Sequence, residues 1–137
     1  MRGLFVDTAG WIACANAADP AHKRTVASRD GWLHDGGVLV TTDYVVDETL
    51  TLLRVRYGVG VAEAWWRQVD SSSRLRREYI GLDRADKARD LFFRYTDKEF
   101  SFTDCTSFVV MRELKLREAL TTDRRFQQAG FLTLPHG

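Results

Sequence analysis

Two short and wholly apolar runs constrain the fold of this chain more than any other feature of its sequence. They occupy residues 4–6 and 38–40, and polar or glycine residues bound each of them. Runs this short without a polar face are typical of strands buried on both sides of a sheet. A helix is predicted over residues 44–57, where Gly58 ends it. Strands separated by helices predict an α/β fold with a mainly parallel central sheet.

The same alternation continues through the rest of the chain. Thr8 is expected to open a helix, Asp19 and Asp83 to cap two later ones, and Asp123 to start a short one. No linker or internal repeat interrupts the pattern, which predicts a single domain over residues 1–137. The remaining predicted elements are helices over residues 61–69 and 103–115, an edge strand over residues 74–80, and strands over residues 118–120 and 131–134.

Composition and charge exclude several classes of protein. Of the 137 residues, 45% are hydrophobic and 28% are charged, which is typical of a globular chain and too apolar for a disordered one. The formal net charge of +1 provides no overall field toward nucleic acid or a membrane. No apolar run is long enough for a signal peptide or a membrane span, so a cytoplasmic location is expected. Cys14 and Cys105 lie far apart and are expected to be reduced thiols.

Three acids recur where strands end or helices begin. Asp7 follows the first predicted strand, Asp123 follows the strand over residues 118–120, and Asp104 begins a helix. The carboxyl ends of parallel strands share one edge of a sheet, so these side chains are expected to lie on one rim. Helix capping would explain each acid taken singly, and both interpretations remain open at this level.

Glu48 is the acid that capping does not explain. On a helical wheel of residues 45–55 it falls on the apolar arc beside Val45 and Leu52, whereas Asp47 falls on the polar side. A carboxylate against a core must pair, protonate or bind a metal. The position four residues later holds Leu52, so no simple helical partner is available, although a pair with an arginine elsewhere stays open.

Four neighbouring carboxylates would form an oxygen-rich site. Such a donor set suits Mg²⁺ or Mn²⁺ rather than zinc, since the three histidines and two cysteines show no metal-ligand spacing. Because Mg²⁺ sites are often completed by substrate phosphates, hydrolysis of a phosphate ester is the reaction this set favours.

Four segments in order resemble motifs of the PIN-domain family and, within it, of the VapC-type toxins of bacterial toxin–antitoxin pairs. They are residues 5–8, 46–50, 101–104 and 120–126, the last followed by Gly130 and Phe131. The resemblance spans essentially the whole chain. It implies a Rossmann-like, three-layer α/β/α sandwich and a metal-dependent endoribonuclease that hydrolyses RNA with Mg²⁺ or Mn²⁺.

The resemblance also assigns the site. The four acids of the family fall on Asp7, Glu48, Asp104 and Asp123, as both metal ligands and catalytic residues. Asp7 and Asp104 are expected to be the main ligands, and Glu48 to act more through an ordered water. Thr8 and Ser101 occupy positions whose hydroxyls orient acids or waters in this family, with ordinary capping as the alternative.

The resemblance further implies a homodimer and a cognate antitoxin protein. At least one of Trp65 and Trp66 is expected to meet a partner or another helix, because adjacent helical residues cannot share one face. RNA would be held by local basic clusters, of which Arg124 and Arg125 adjoin an acid. Two alternatives stay open: another phosphate-ester hydrolase, or a non-catalytic protein whose acids only bind a metal or a partner.

Overall fold

The computed structural model describes residues 1–136, which form a five-stranded sheet and seven helices. The strands are β1 (Gly3–Val6), β2 (Val38–Thr42), β3 (Leu75–Glu78), β4 (Glu118–Leu120) and β5 (Leu132–Leu134). The helices are α1 (Thr8–Ala15), α2 (His22–His34), α3 (Asp43–Tyr57), α4 (Val59–Ser71), α5 (Leu82–Arg94), α6 (Phe102–Glu113) and α7 (Arg125–Gln128).

The sheet order places β1 at the centre. The order is β3-β2-β1-β4-β5, and every pairing is parallel. Phe5 of β1 is in register with Val40 of β2 on one side and with Ala119 of β4 on the other. The chain order therefore reverses at β1, and in parallel sheets ligands bind beyond the strand ends at such a reversal. The predicted mainly parallel sheet, with residues from 74–80 at its edge, is confirmed.

Several predicted helix starts were wrong by one or two residues. Asp19 closes a turn by accepting from the Ala21 amide at 2.8 Å, and α2 begins only at His22. Asp83 lies inside the first turn of α5, whose N-cap is Gly81 without a side-chain cap. Asp123 precedes α7 by two residues. Each of these acids does lie near a helix start, but turn geometry decides which residue is the cap.

The core is built on β1 and a group of aromatic rings. All four residues of β1 are buried. Phe126 of α7 is fully buried, with its ring 5.1 Å from that of Phe108 in α6 and 6.1 Å from that of Phe5. Because Phe126 follows Asp123 so closely, its burial fixes the segment that carries this acid. Cys14 and Cys105 are both free thiols, as expected.

The tryptophans divide between core and surface. Trp11, Trp32 and Trp65 are buried, whereas Trp66 is only partly buried. The side chain of Trp66 lines a cleft between α3 and α4. Trp66 also packs against the core, and the expectation that one of the adjacent pair lies in a partner interface remains a prediction.

No helix within residues 1–136 combines the length and the apolar character needed to cross a membrane. The predicted end of the domain at residue 137 lies outside the described residues, and the single-domain prediction remains a prediction.

Candidate active site

Asp7 lies where β1 ends and α1 begins. It is the N-cap of α1, and its Oδ1 accepts from the amide of Gly10 at 2.8 Å. A Cβ added at Gly10 would collide with the carbonyl oxygen of Leu120, so the missing side chain lets α1 approach the end of β4. This close approach places Asp7 beside the segment that follows β4.

Thr121 joins Asp7 to Asp123. The Thr121 hydroxyl donates to Asp7 Oδ2 at 2.8 Å and accepts from the amide of Asp123 at 2.9 Å. Thr121 and Asp7 are both buried. One side chain thereby fixes two of the predicted acids relative to each other.

Burial controls the protonation of Asp7. Removal from water raises the pKa of this carboxyl to about 7, although hydrogen bonds from Gly10 and Thr121 lower it. The charges of Asp123 and Asp104 raise the pKa of Asp7 further, so both acids lie close enough to act on it. A cation among these acids would offset their mutual repulsion.

Asp104 is held by a capping box at the start of α6. Its amide donates to Ser101 Oγ, and its Oδ2 accepts from the Ser101 amide, both at 3.0 Å. Burial raises the pKa of Asp104, the hydrogen bonds from Ser101 lower it, and the charge of Asp123 raises it. Asp104 Oδ1 accepts no hydrogen bond within the described residues, so this oxygen could bind a ligand while Oδ2 caps the helix. Asp104 can therefore be both a capping residue and a residue of the site.

Arg125 is a basic side chain among the acids. Its Nη1 donates to Asp123 Oδ2 at 3.1 Å, and its Nε lies 3.7 Å from Asp104 Oδ2. Its Nε also donates to the Glu99 carbonyl at 2.7 Å. The hydrogen bond and charge of Asp123 raise the pKa of Arg125 above its ordinary value. Arg125 therefore pairs with acidic side chains of the protein. It does not form, together with Arg124, the unpaired basic cluster that the sequence suggested.

Glu48 joins the site from α3. It is partly buried, whereas its neighbour Asp47 is exposed, as the helical wheel predicts. Glu48 lines one cleft of about 400 Å³ together with the other three predicted acids, Asp7, Asp104 and Asp123. It forms no ion pair in the described part of the chain, so the open alternative of a Glu48–arginine pair is not realised there. The structure therefore brings all four predicted residues to one cleft.

The donor set of this cleft fits a hard divalent cation. Within residues 1–136 no three acidic, histidine or cysteine side chains are arranged as a ready-made ligand set. Mg²⁺ does not need one, because it keeps several waters and often binds through one or two carboxylates. No histidine or cysteine lines the cleft among the described residues, and its carboxylate and hydroxyl oxygens suit Mg²⁺ or Mn²⁺ better than zinc, with Arg56 and Arg125 as the two basic side chains beside them.

Two hydroxyls predicted for the site have different contacts. Ser101 orients Asp104, as described above. Thr8 lines the cleft, but its Oγ1 accepts from Thr49 at 3.2 Å and forms no hydrogen bond with an acid within residues 1–136. The hydroxyl that does contact one is Thr121, to which sequence reasoning gave no role. The quoted motif over residues 120–126 contained it, and its position directly after β4 was the signal available.

Comparison with known proteins identifies the family. The chain matches the PIN domain over residues 4–132 and belongs to the PIN-domain family. It is 35% identical, over 94% of this chain and 95% of the relative, to the 23S rRNA-specific endonuclease VapC20 of Mycobacterium tuberculosis. A VapC ribonuclease of Archaeoglobus fulgidus is 37% identical over 66% of this chain and 56% of that protein. These relatives place the chain among the VapC-type nucleases.

Solved structures agree with this placement. The crystal structure of Mycobacterium tuberculosis VapC20, a toxin that cleaves the sarcin–ricin loop, superposes with a TM-score of 0.85 and covers 94% of this chain. The superposition covers 96% of the VapC20 chain, and the two sequences are 35% identical. FitAcB from Neisseria gonorrhoeae superposes with a TM-score of 0.65 at 14% identity, covers 95% of both chains, and supports the fold alone. The predicted three-layer α/β/α sandwich is confirmed.

Proposed function

We propose that this chain is the toxin of a toxin–antitoxin pair and cleaves RNA internally with the help of Mg²⁺ or Mn²⁺. The observation that carries the proposal is the shared cleft of Asp7, Glu48, Asp104 and Asp123 in a VapC-type nuclease. Carboxylates placed together at a sheet edge need a cation, and a phosphodiester brings the negative oxygens that complete such a site.

Each acid has a distinct part in this proposal. Asp7 and Asp104 would bind the cation directly, Glu48 would bind through a water, and the Asp123 carboxylate, which pairs with Arg125, would add negative charge beside them. When bound, a divalent cation would supply a water nucleophile of lowered pKa and would stabilise negative charge on the leaving oxygen. Thr121 and Ser101 keep two of the carboxylates oriented, which limits the reorganisation needed at the reacting centre.

Large-subunit ribosomal RNA is the first substrate to test. The relative with 35% identity over nearly the whole chain is specific for 23S rRNA, and its solved structure is that of a sarcin–ricin loop cleaving toxin. We propose the same RNA class for this chain, with transfer and messenger RNA as the competing substrates.

A cognate antitoxin would cover the cleft between α3 and α4. This cleft has a volume of about 640 Å³ and combines apolar Val46, Leu50 and Trp66 with charged Arg54 and Arg77. Such a surface suits an amphipathic protein segment. Trp66→Ala should weaken binding of the antitoxin from the adjacent gene, measured by calorimetry, and unchanged affinity would exclude this cleft.

Self-association would use exposed apolar residues of α5 and of the loop that leads into it from β3. Leu82 is 84% exposed, Phe93 72% and Tyr79 67%, which is unusual for side chains of this size. We propose that these residues lie in a homodimer. Phe93→Asp should convert the dimer to monomers in sedimentation experiments, whereas a wild-type protein that is monomeric at all concentrations would contradict a dimer.

The nuclease proposal is tested on total cellular RNA. Purified protein would be incubated with Mg²⁺, Mn²⁺ or EDTA, alongside Asp7→Asn and Asp104→Asn. Discrete fragments that need the metal and both aspartates, mapped by primer extension, would support the proposal and locate the cut. Intact RNA in every reaction, or equal cleavage in EDTA, would contradict it.

A further inference from the structure

A second polar cleft lies next to the acidic cleft, and most of its charged side chains are basic. It has a volume of about 530 Å³ and shares the lining residues Thr122 and Asp123 with the acidic cleft, so the two clefts are adjacent. Its basic side chains are Arg24 and Arg124. Asp123 is its one acid within residues 1–136, and Arg125 already pairs with that carboxylate at 3.1 Å.

The two arginines of this cleft are free to bind a ligand. Both are exposed, and neither forms an ion pair with any residue up to His136. Arg124 differs in this from the adjacent Arg125, which contacts three acidic residues. Both arginines could therefore bind an anion without first breaking an ion pair within the described chain.

The position of Arg24 carries an electrostatic cost. Arg24 lies in the first turn of α2 with His22 and Lys23, and that turn contains no acid. Positive side chains near a helix N-terminus are repelled by the helix dipole, where acids are normally favoured. An anion in the cleft would relieve this repulsion.

A third cleft, next to the acidic one at the start of α3, repels anions. It has a volume of about 500 Å³ and shares Glu48, Leu52 and Thr103 with the acidic cleft. Its charged residues are Asp43, Asp47 and Glu48, with no basic side chain among its lining residues in the described chain. Arg56, near the C-terminal end of α3, lines the acidic cleft itself, so the repulsion is confined to the N-terminal part of α3 around Asp43 and Asp47. A polyanion that leaves the four acids therefore meets attraction on the α2–α7 side and repulsion toward the start of α3.

We infer that Arg24 and Arg124 bind a phosphodiester group of the RNA next to the one that is cut, so that the strand leaves the acids along the α2–α7 side. Arginine is suited to this because its guanidinium donates two parallel hydrogen bonds to phosphate. The hydroxyl of Thr122, also in this cleft, is available to the ribose or phosphate. This inference rests on the proposed ribonuclease function and adds a binding subsite and a strand direction to it.

The test measures RNA binding separately from cleavage. Asp104→Asn protein would be titrated against a short fluorescein-labelled oligouridylate, with anisotropy read between about 50 and 200 mM KCl. Arg24→Gln and Arg124→Gln would be added singly and together in this background. Arg117→Gln is the matched control, since Arg117 is also exposed but precedes β4 at the opposite edge of the sheet.

Each phosphate contact that is lost should flatten the dependence of log affinity on log salt by about 0.7 for a single strand. The double variant should therefore flatten the slope about twice as much as either single variant, and Arg117→Gln should leave it unchanged. In protein with Asp104 intact, the double variant should raise KM for RNA cleavage more than it lowers kcat.

Two results would overturn the inference, and they are distinguishable. If the double variant matches Arg117→Gln while wild-type protein still cleaves RNA, the subsite is wrong and the nuclease proposal stands. If the Asp104→Asn protein binds no RNA and wild-type protein cuts none, the subsite and the proposed function both fail. Circular dichroism of each variant checks that the exposed substitutions leave the fold intact.

Discussion

The hydroxyl of Thr121 donates to Asp7 Oδ2 at 2.8 Å, across 114 positions in the sequence. This bond ties the end of β4 to the end of β1, the two strands at which the sheet order reverses. The same hydroxyl accepts from the Asp123 amide at 2.9 Å. Thr121 is thus a positioning residue for two of the four acids.

Thr121→Val should damage both stability and metal binding. The substitution leaves a buried carboxylate oxygen without its donor and the Asp123 amide without its acceptor, which costs about 1–3 kcal/mol. Loss of a residue that orients a metal ligand typically weakens metal affinity about 10–100-fold. Denaturant unfolding and Mn²⁺ titration measure the two effects. Thr121→Ser keeps the hydroxyl and should restore most of both, whereas a Ser variant as impaired as Val would contradict the hydrogen-bond role.

Gly10→Ala should separate α1 from β4. The added Cβ meets the Leu120 carbonyl oxygen, so the helix must shift and the Asp7–Thr121 bond must lengthen. We expect a loss of at least about 2 kcal/mol in the free energy of unfolding, within the range for overpacking a core.

Gly31→Ala is the matched control for that substitution. Gly31 also lies within a helix, and a Cβ added there meets nothing within 4 Å. It should stabilise the protein by about 0.5–1 kcal/mol through helix propensity. Equal effects of the two alanines on thermal unfolding would show that the close approach of Gly10 to the Leu120 carbonyl does not affect stability.

The stability of metal-free protein should fall as the pH rises from about 5 to 7. Burial raises the pKa of Asp7 to about 7 from an ordinary value of 3.8, so folded protein keeps a proton that unfolded protein has released. The contribution is fully present below the ordinary pKa and is lost as the pH rises through the folded pKa, at about 1.4 kcal/mol per unit at most. Burial raises the pKa of Asp104 too, which acts in the same direction.

Chemical denaturation in EDTA across this pH range measures the effect. Asp7→Asn should flatten the profile, because Asn does not titrate. Saturating Mn²⁺ should reverse the slope, since a cation binds the deprotonated acids and metal affinity rises with pH. A metal-free stability that increases over this range would contradict the raised pKa of Asp7.

Arg125→Gln should increase the affinity of the cleft for Mn²⁺. The guanidinium pairs with Asp123 and lies 3.7 Å from Asp104, so its charge opposes a cation bound by the same carboxylates. Calorimetry would compare this variant with Arg124→Gln, whose exposed side chain forms no ion pair in the described chain. We expect a several-fold gain for Arg125→Gln alone, and equal affinities would indicate that Arg125 moves away at no cost.

Much of the site could be predicted because it depends on local patterns. Asp7 follows an apolar run and Glu48 breaks the apolar arc of a helix, and both signals lie within a few residues of the acid itself. The Thr121–Asp7 bond could not be predicted in the same way, because it depends on β4 lying next to β1. The need for glycine at position 10 has the same origin, since it is Leu120 that leaves no room for a side chain.

The errors in the predicted helix starts have a related cause. Asp19, Asp83 and Asp123 are all residues that favour caps, and each lies within three residues of a helix start. Asp19 and Asp123 instead accept from amides two positions later, which closes turns ahead of the helices. Asp and its neighbours can satisfy either geometry, and tertiary packing, such as the burial of Phe126, selects between them.

Binding of Mn²⁺ to the four-acid cleft is the measurement to make first. Wild-type protein would be titrated by electron paramagnetic resonance alongside Asp7→Asn, Asp104→Asn and Asp47→Asn, the last being the exposed acid beside Glu48. We predict saturable binding by wild-type protein and Asp47→Asn, with affinity reduced at least about tenfold in the other two variants. No saturable binding by wild-type protein, or equal binding by all four proteins, would contradict a divalent-cation site at these acids.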